Sequence, residues 1–253
     1  GLAPYGEPKY TDLIKNTLIN IAEDGSFKLD MSYFDFATNF KMTNKKFNKL
    51  FGGLPRKPET ELTQKHMDLA ASIQKVTEEV VILIAKYVKK DSKQNNLCLA
   101  GGVALNCVAN GALNREKIFD NIWIQPAAGD AGGALGAALV AWNILTSKDR
   151  EFNANKDQMS GSYLGPSFSN YEIKEELIRM NAKFSEFHTE ELLEHVTNSI
   201  ADGKAVGWMQ GRMEFGPRSL GARSIIADPR SSSMQRQLNL KVKFRESFRP
   251  FAP

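Results

Sequence analysis

Histidine and cysteine are scarce in this chain, three and two among 253 residues. His66 stands alone, and His188 and His195 are seven positions apart, so no imidazole pair has metal-ligand spacing. All three read as structural or surface residues. Cys98 and Cys107 form no metal motif. Both lie in apolar segments and are expected as reduced core thiols. No apolar run approaches the ~18 residues of a membrane-crossing helix, and no basic–apolar–small pattern opens the chain. The expectation is a cytoplasmic protein without a membrane partner. Strong charge of one sign is also missing. A formal balance of +4 is mild, so nucleic acid is not an expected partner. Neither an internal repeat nor a low-complexity tract occurs. No Ser-His-Asp, Cys-His or paired-carboxylate arrangement stands out, which leaves orientation and charge stabilisation as the routes to any catalysis.

What remains is an ordinary globular composition, 42% apolar and 25% charged, with ample core to bury. The chain opens on Gly-Leu-Ala-Pro-Tyr-Gly and closes on Phe-Arg-Pro-Phe-Ala-Pro253, apolar turns that read as the ends of an excised fragment. Residues 1–60 read as loops and short elements around Tyr33-Phe34-Asp35-Phe36. Apolar residues at three- and four-residue steps, from Leu62 through Ile73 and Ile84 to Val88, predict one long helix over Glu59–Lys89. Pro58 precedes its first turn, and Lys86, Lys89 and Lys90 suit its C-terminal end.

A compact alternation follows. Leu97–Ala100 reads as a strand, Val103–Leu113 as a helix, Asn121–Gln125 as a strand and Asp130–Leu145 as a helix. This order implies a parallel βαβ unit with both glycine turns on one carboxyl edge, where α/β sheets bind ligands. Thr146–Ser162 reads as a polar linker. Beyond it, Ser169 and Glu172 have capping-box spacing for a helix to Met180. A strand is expected at Lys183–Phe187, a helix at Thr189–Ala201, strands at Ala205–Met209 and Ser224–Asp228, and a helix at Ser232–Lys241.

Three segments carry chemistry. Gly101-Gly102 lies between a strand and a helix, where exposed N–H groups attract phosphate or ribose oxygens, and Asn106 one turn on could bond a sugar or base. A purely structural turn fits that pair as well. Gly129, Gly132, Gly133 and Gly136 thin out one helix at a cost of roughly 0.5–1 kcal/mol each relative to alanine, so something should approach it closely. Tight helix–sheet packing explains Gly136; Asp130 fits an N-cap or a carboxylate ligand for a metal. The third segment, Arg212-Met-Glu-Phe-Gly-Pro-Arg-Ser-Leu-Gly-Ala-Arg-Ser224, is echoed by Lys243-Phe-Arg-Glu-Ser-Phe-Arg-Pro250. Residues 201–253 hold ten Lys or Arg against four Asp or Glu. Guanidinium forks beside glycines suit a polyphosphate or carboxylate site.

Together with Gly1–Gly6, Leu97–Asn106 and Gln125–Ala138, the two arginine segments resemble the NodU/CmcH family of O-carbamoyltransferases, in family order along the whole chain. The resemblance implies an α/β protein. Residues 1–155 would be the C-terminal half of an actin/sugar-kinase/Hsp70-like (ribonuclease H-like) domain, and 156–253 the start of a YrdC-like domain. It implies formation of carbamoyl-adenylate from carbamoyl phosphate and ATP, and transfer of the carbamoyl group to a hydroxyl acceptor with a divalent metal, iron by resemblance, magnesium remaining open. Carried over, Asp130 is the metal ligand and, with Arg218, a catalytic residue. Gly101, Gly102, Val103, Asn106, Gly129 and Gly132 line the nucleotide edge. Arg212, Arg218, Arg223, Lys243, Arg245 and Arg249 hold the anions in the second domain, apart from the metal. Ser219 and Ala222 depart from the family's usual Ala and Asn. The family's metal-binding His pair is absent, so the 253 residues alone are not expected to turn over. An actin-fold small-molecule kinase and a non-catalytic nucleotide-binding module are the alternatives, and self-association stays open.

Overall fold

The computed structural model describes residues 1–57, 59–149, 153 and 155–251. Pro58 and four residues of the predicted linker, Arg150, Glu151, Phe152 and Ala154, therefore lie outside the described residues. The chain forms two compact units. One comprises Gly1–Leu97, Asn106–Trp123 and Asn239–Ala252; the other is built chiefly from Cys98–Leu105 and Ile124–Leu238. No helix among the described residues is long and apolar enough to cross a membrane.

In the first unit, the 1–60 region contains more regular structure than its pattern predicts. Helix α1 (Thr11–Thr17) leads into the hairpin β1 (Ile19–Ile21) and β2 (Phe27–Leu29), with Ile19 opposite Leu29. Helix α2 (Lys45–Leu50) follows, and Asn44 caps it by accepting the Lys46 and Phe47 N–H groups. Ile14 and Leu18 from α1 meet Phe51 and Val76 in the core of this unit. Phe47 and Tyr10 flank Phe51, with ring centroids at 4.7 and 5.7 Å.

The long helix is α3 (Gln64–Ser92). It starts five residues later than predicted, because Glu59 has φ +58, a left-handed conformation that cannot open a helix. His66 Nδ1 instead accepts the Thr63 N–H at 3.1 Å, so the lone histidine is a helix cap. Asp68, Ser72, Val76 and Val80 are buried at four-residue steps, the inward stripe of the helix. Ile73 and Ile84, expected on that stripe, are exposed. Its polar end is satisfied. Asp68 accepts the Glu7 N–H and the Gln64 amide, and Ser72 accepts the Tyr10 N–H. Those two bonds, opposed by burial and helped by nearby Lys9, hold the Asp68 carboxyl below the usual range.

The predicted βαβ alternation is present as β3 (Asn96–Leu99), α4 (Cys107–Arg115), β4 (Asn121–Ile124) and α5 (Asp130–Thr146). β3 pairs with β4. The pair is parallel, since Asp120 N–H donates to Asn95 O and Gln125 N–H to Leu99 O. Both cysteines are free and exposed, which corrects the expectation of core thiols. In β3 the odd residues Leu97 and Leu99 are the more buried ones, and Cys98 points the other way. In α4 the inward pair is Ala109 and Leu113, and Cys107 precedes it.

In the second unit, α6 (Asn170–Arg179) starts at the predicted Ser169–Glu172 capping box, and α7 (Thr189–Ala201) has the predicted bounds. His188 N–H donates to Glu191 at the start of α7, and His195 stacks on Phe187. Lys183–Phe187 is not a strand. It is exposed, and no strand among the described residues pairs with it. β5 (Val206–Met209) and β6 (Arg223–Ile226) form an antiparallel pair, Val206 opposite Ile226. The helix expected over Ser232–Lys241 is a short α8 (Met234–Gln237) continued by a π-helical turn at Leu238–Val242.

The C-terminal stretch returns to the first unit and closes around Asn239, which is fully buried. Its amide donates to Ser247 O at 3.1 Å and Arg249 O at 2.7 Å, and its oxygen accepts Arg245 Nε at 2.6 Å. Arg56 forms an ion pair with Glu246. Asn239→Ala strands those three groups, at roughly 2–4 kcal/mol. Hydrogen exchange should accelerate across 243–251 while α1 and α2 stay protected.

Candidate functional site

The carboxyl edge of the parallel pair is built in the second unit. β3 runs into Gly101, whose N–H donates to Ala128 O at 2.7 Å. This bond joins the two glycine turns, as their placement on one edge predicts. Gly101 has φ +95, a conformation glycine adopts without cost. The helix expected from Val103 begins instead as a 3₁₀ turn at Gly102–Leu105. Val103 is exposed. Asn106 is the N-cap of α4, in the first unit. It accepts the Ala109 N–H at 3.1 Å and exchanges amide bonds with Gln74. Its side chain is thus committed to structure rather than standing one turn inside a helix.

On the other turn, Ala127 and Ala128 are buried, and Gly129 is the N-cap of α5. Asp130 occupies the first helical position, corrected by one residue from the N-cap. It is exposed and makes no hydrogen bond or ion pair among the described residues. Its carboxylate sits at the positive end of a 17-residue helix. Gly132 is required by space: a Cβ there would lie 2.0 Å from Ala127 O. A Cβ at Gly133 or Gly136 would meet nothing within 4 Å, so the tight packing expected at Gly136 is absent among the described residues. Farther along α5, Trp142 and Leu145 are exposed.

The arginine loop connects β5 to β6 in this same unit. Gly216, at φ +123, lies against the Pro126–Ala127 turn, where a Cβ would fall 3.1 Å from Ala127 Cα. The arginine loop therefore touches the glycine edge. The segment 161–166 frames the loop from the other side. Gly165 N–H donates to Met213 O, Met213 N–H to Pro166 O and Phe215 N–H to Ser162 O. The Ser162 hydroxyl reaches Phe215 O at 2.7 Å, and Tyr163 Oη reaches Leu220 O at 2.7 Å. Ser162, read as the end of a linker, is fully buried.

At the loop's centre is a residue that sequence reasoning passed over. Glu214 is buried, and its Oε1 accepts the N–H groups of Leu220 at 2.8 Å, Ala222 at 2.7 Å and Arg223 at 3.1 Å. Burial opposes ionisation and is the largest single influence. The surrounding backbone N–H groups together outweigh it and hold the carboxyl at about 2. The available signal was one acid inside a basic run, too polar to be buried without a set of donors.

The arginines divide by what they touch. Arg223 donates to Gln210 O at 3.1 Å, Ala222 O at 2.9 Å and Gly211 O at 3.2 Å, so it clamps the base of the loop. Arg212 donates to Gly165 O at 2.7 Å. Arg218, at the exposed tip, bonds to none of the described residues. Ser219 donates to Arg223 O at 3.0 Å. The echo segment lies in the first unit. There Arg245 is held by Asn239 and by Pro250 O at 3.3 Å, and sits over the Phe251 ring. Lys243 has no partner among the described residues, and Arg249 belongs to the loop that Asn239 closes.

Among the described residues no three His, Cys, Asp or Glu side chains converge as metal ligands. Asp130 supplies one carboxylate, which does not amount to a metal centre.

The Carbamoyltransferase N-terminus family model matches residues 1–139, and the Carbamoyltransferase C-terminus model matches residues 197–253. The chain belongs to the carbamoyltransferase family. It is 57% identical over 255 residues to the uncharacterised protein sll1178 of Synechocystis sp., covering all of this chain and 41% of that protein. It is 37% identical over 257 residues to nodulation protein NolO of Bradyrhizobium diazoefficiens, covering all of this chain and 43% of the relative. Nodulation protein NolNO of Sinorhizobium fredii is 38% identical over 255 residues, again along the full chain but only 35% of the relative. This carbamoyltransferase chain thus spans less than half the length of these relatives.

Proposed function

We propose that the protein is an ATP-dependent O-carbamoyltransferase acting on a hydroxyl of a small-molecule or sugar acceptor. In this reading residues 1–155 belong to the second half of an actin-like domain, and residues 156–253 begin a YrdC-like one. The observation that carries the proposal is the loop itself: the one partnerless guanidinium of the 212–223 segment, among the described residues, rides on a loop packed against the glycine edge.

The chemistry needs anion handling more than proton transfer. Water hydrolyses carbamoyl phosphate to carbamate and inorganic phosphate, and a carbamate oxygen then attacks the α-phosphorus of ATP and expels pyrophosphate. The acceptor hydroxyl then attacks the carbamoyl carbon of the adenylate and expels AMP. Arg218 would neutralise charge on the phosphates without taking part in proton transfer, with Arg212 as a further cation. The N–H groups of the first turn of α5 favour an anion on the same edge. A divalent metal would need ligands besides Asp130. Arg223 and Arg245 keep the loops in shape.

The test is carbamoyl phosphate-dependent exchange of labelled pyrophosphate into ATP by the full-length protein. Exchange only when carbamoyl phosphate is present supports the adenylate. ATP cleavage to ADP with phosphate appearing on an alcohol would instead identify a kinase.

A further inference from the structure

Glu214 is an acid placed where the proposed function has no obvious use for one. The three arginines of the proposed anion-binding segment, Arg212, Arg218 and Arg223, all lie within nine positions of it. A carboxylate close to an anion site repels the ligand unless its charge is spent elsewhere. Here one oxygen is spent on three backbone N–H groups.

The donors decide what it does. Leu220, Ala222 and Arg223 lie immediately after Arg218, while Glu214 lies before it. The carboxylate therefore ties the two arms of the loop together and fixes the span Phe215–Ser219 between them. Gly216 at φ +123 seats one arm on Ala127, and Tyr163 Oη holds Leu220 O on the other. Arg218 is the residue left projecting. The loop is held on both sides of it although its own side chain is free, which removes part of the ordering cost of binding.

We propose that Glu214 is the positioning residue for Arg218: the loop is wrapped around an internal carboxylate so that one guanidinium is presented, already placed, to the phosphate of the substrate. The inference rests on the reading of Arg218 as an anion ligand. Glu214 acts through Arg218 and does not touch the substrate. Its negative charge is what gathers the donors, so a neutral amide of the same size should hold them poorly. The Gln amide oxygen is an uncharged and weaker acceptor for the three N–H groups.

A double-mutant cycle tests this, with ATP as the probe and affinity measured by titration calorimetry on the 253-residue chain. Glu214→Gln is expected to weaken ATP about tenfold, with circular dichroism of the helices unchanged, because one charge-assisted contact is misplaced. In an Arg218→Ala background the same substitution should have no further effect. Equal weakening in both backgrounds would show a merely structural role and overturn the proposal. Glu214→Asp keeps the charge one methylene short, should fall between the two, and replaces Gln if that variant fails to fold. A ligand-independent readout separates this inference from the reading beneath it. Trypsin cleavage after Arg218 should be about tenfold faster in Glu214→Gln, as the loop opens. If the wild-type chain binds no ATP, the anion-ligand reading fails while cleavage still reports on Glu214. If cleavage is unchanged, the positioning claim fails whatever the affinity.

Discussion

Arg218→Ala is expected to lower carbamoyl transfer by the full-length protein about a hundredfold or more, with the melting temperature unchanged within a degree or two. The two halves of that result have separate causes. Arg218 is exposed and bonds to no other described residue, so its removal strands nothing in the fold. What it offers an anion is a planar fork of donors, and charge-assisted bonds of that kind contribute roughly 1.5–3 kcal/mol each. Arg223→Ala should show the reverse pattern. Three carbonyls, on Gln210, Gly211 and Ala222, lose their donor, so stability should fall first and activity only as the loop loosens. Lysine at 218 restores the charge but not the fork, and is expected to recover only part of the rate. Thermal melts and kcat/KM for the three variants give the comparison. A destabilised Arg218→Ala with full activity would assign the arginines the other way round.

Glu214→Ala is expected to cost roughly 2–4 kcal/mol at neutral pH, because three backbone N–H groups lose their acceptor in a buried place. The pH dependence identifies the cause. The folded carboxyl lies at about 2 against an ordinary 4.5, so its ionised form stabilises the fold. That contribution is complete above the unfolded value near 4.5 and drains away as pH falls toward 2. Urea midpoints of the wild-type chain should therefore drop between pH 4.5 and 2.5, and those of Glu214→Ala should drop less. Some slope must remain in the variant. Asp68, whose carboxyl is lowered chiefly by the Glu7 N–H, and Glu172, lowered chiefly by the Ser169 N–H, titrate in the same direction. Identical slopes in both proteins would mean that Glu214 is not held ionised by the loop.

What could be read in the sequence was local. The β3–α4–β4–α5 alternation, the Ser169 cap and the bounds of α7 follow from periodicity and capping residues, which act within a few positions. Asp130 and the arginine segment were likewise visible as chemistry out of place. The misreadings needed tertiary information. Asn106 looked like a ligand group until Gln74, 32 residues away, supplied its partner. Lys183–Phe187 has strand composition but no strand to pair with among the described residues. Six arginines and lysines looked alike as a list, and only the carbonyls around Arg223 and Asn239 beside Arg245 separate structural cations from Arg218 and Lys243, which have no partner among the described residues. Glu214 was hidden by its surroundings, since a single acid in a basic run reads as a solvated charge until its donors are seen.

The most direct measurement follows the carbamoyl group. The full-length protein is given ¹³C-labelled carbamoyl phosphate, ATP and a panel of polyhydroxy acceptors, and the products are resolved by carbon NMR and mass. A labelled carbamate ester on an acceptor oxygen, formed with AMP and pyrophosphate and lost in Arg218→Ala, is the predicted result. Phosphate on the acceptor with ADP as the by-product, or an ester formed equally well without Arg218, would contradict the account.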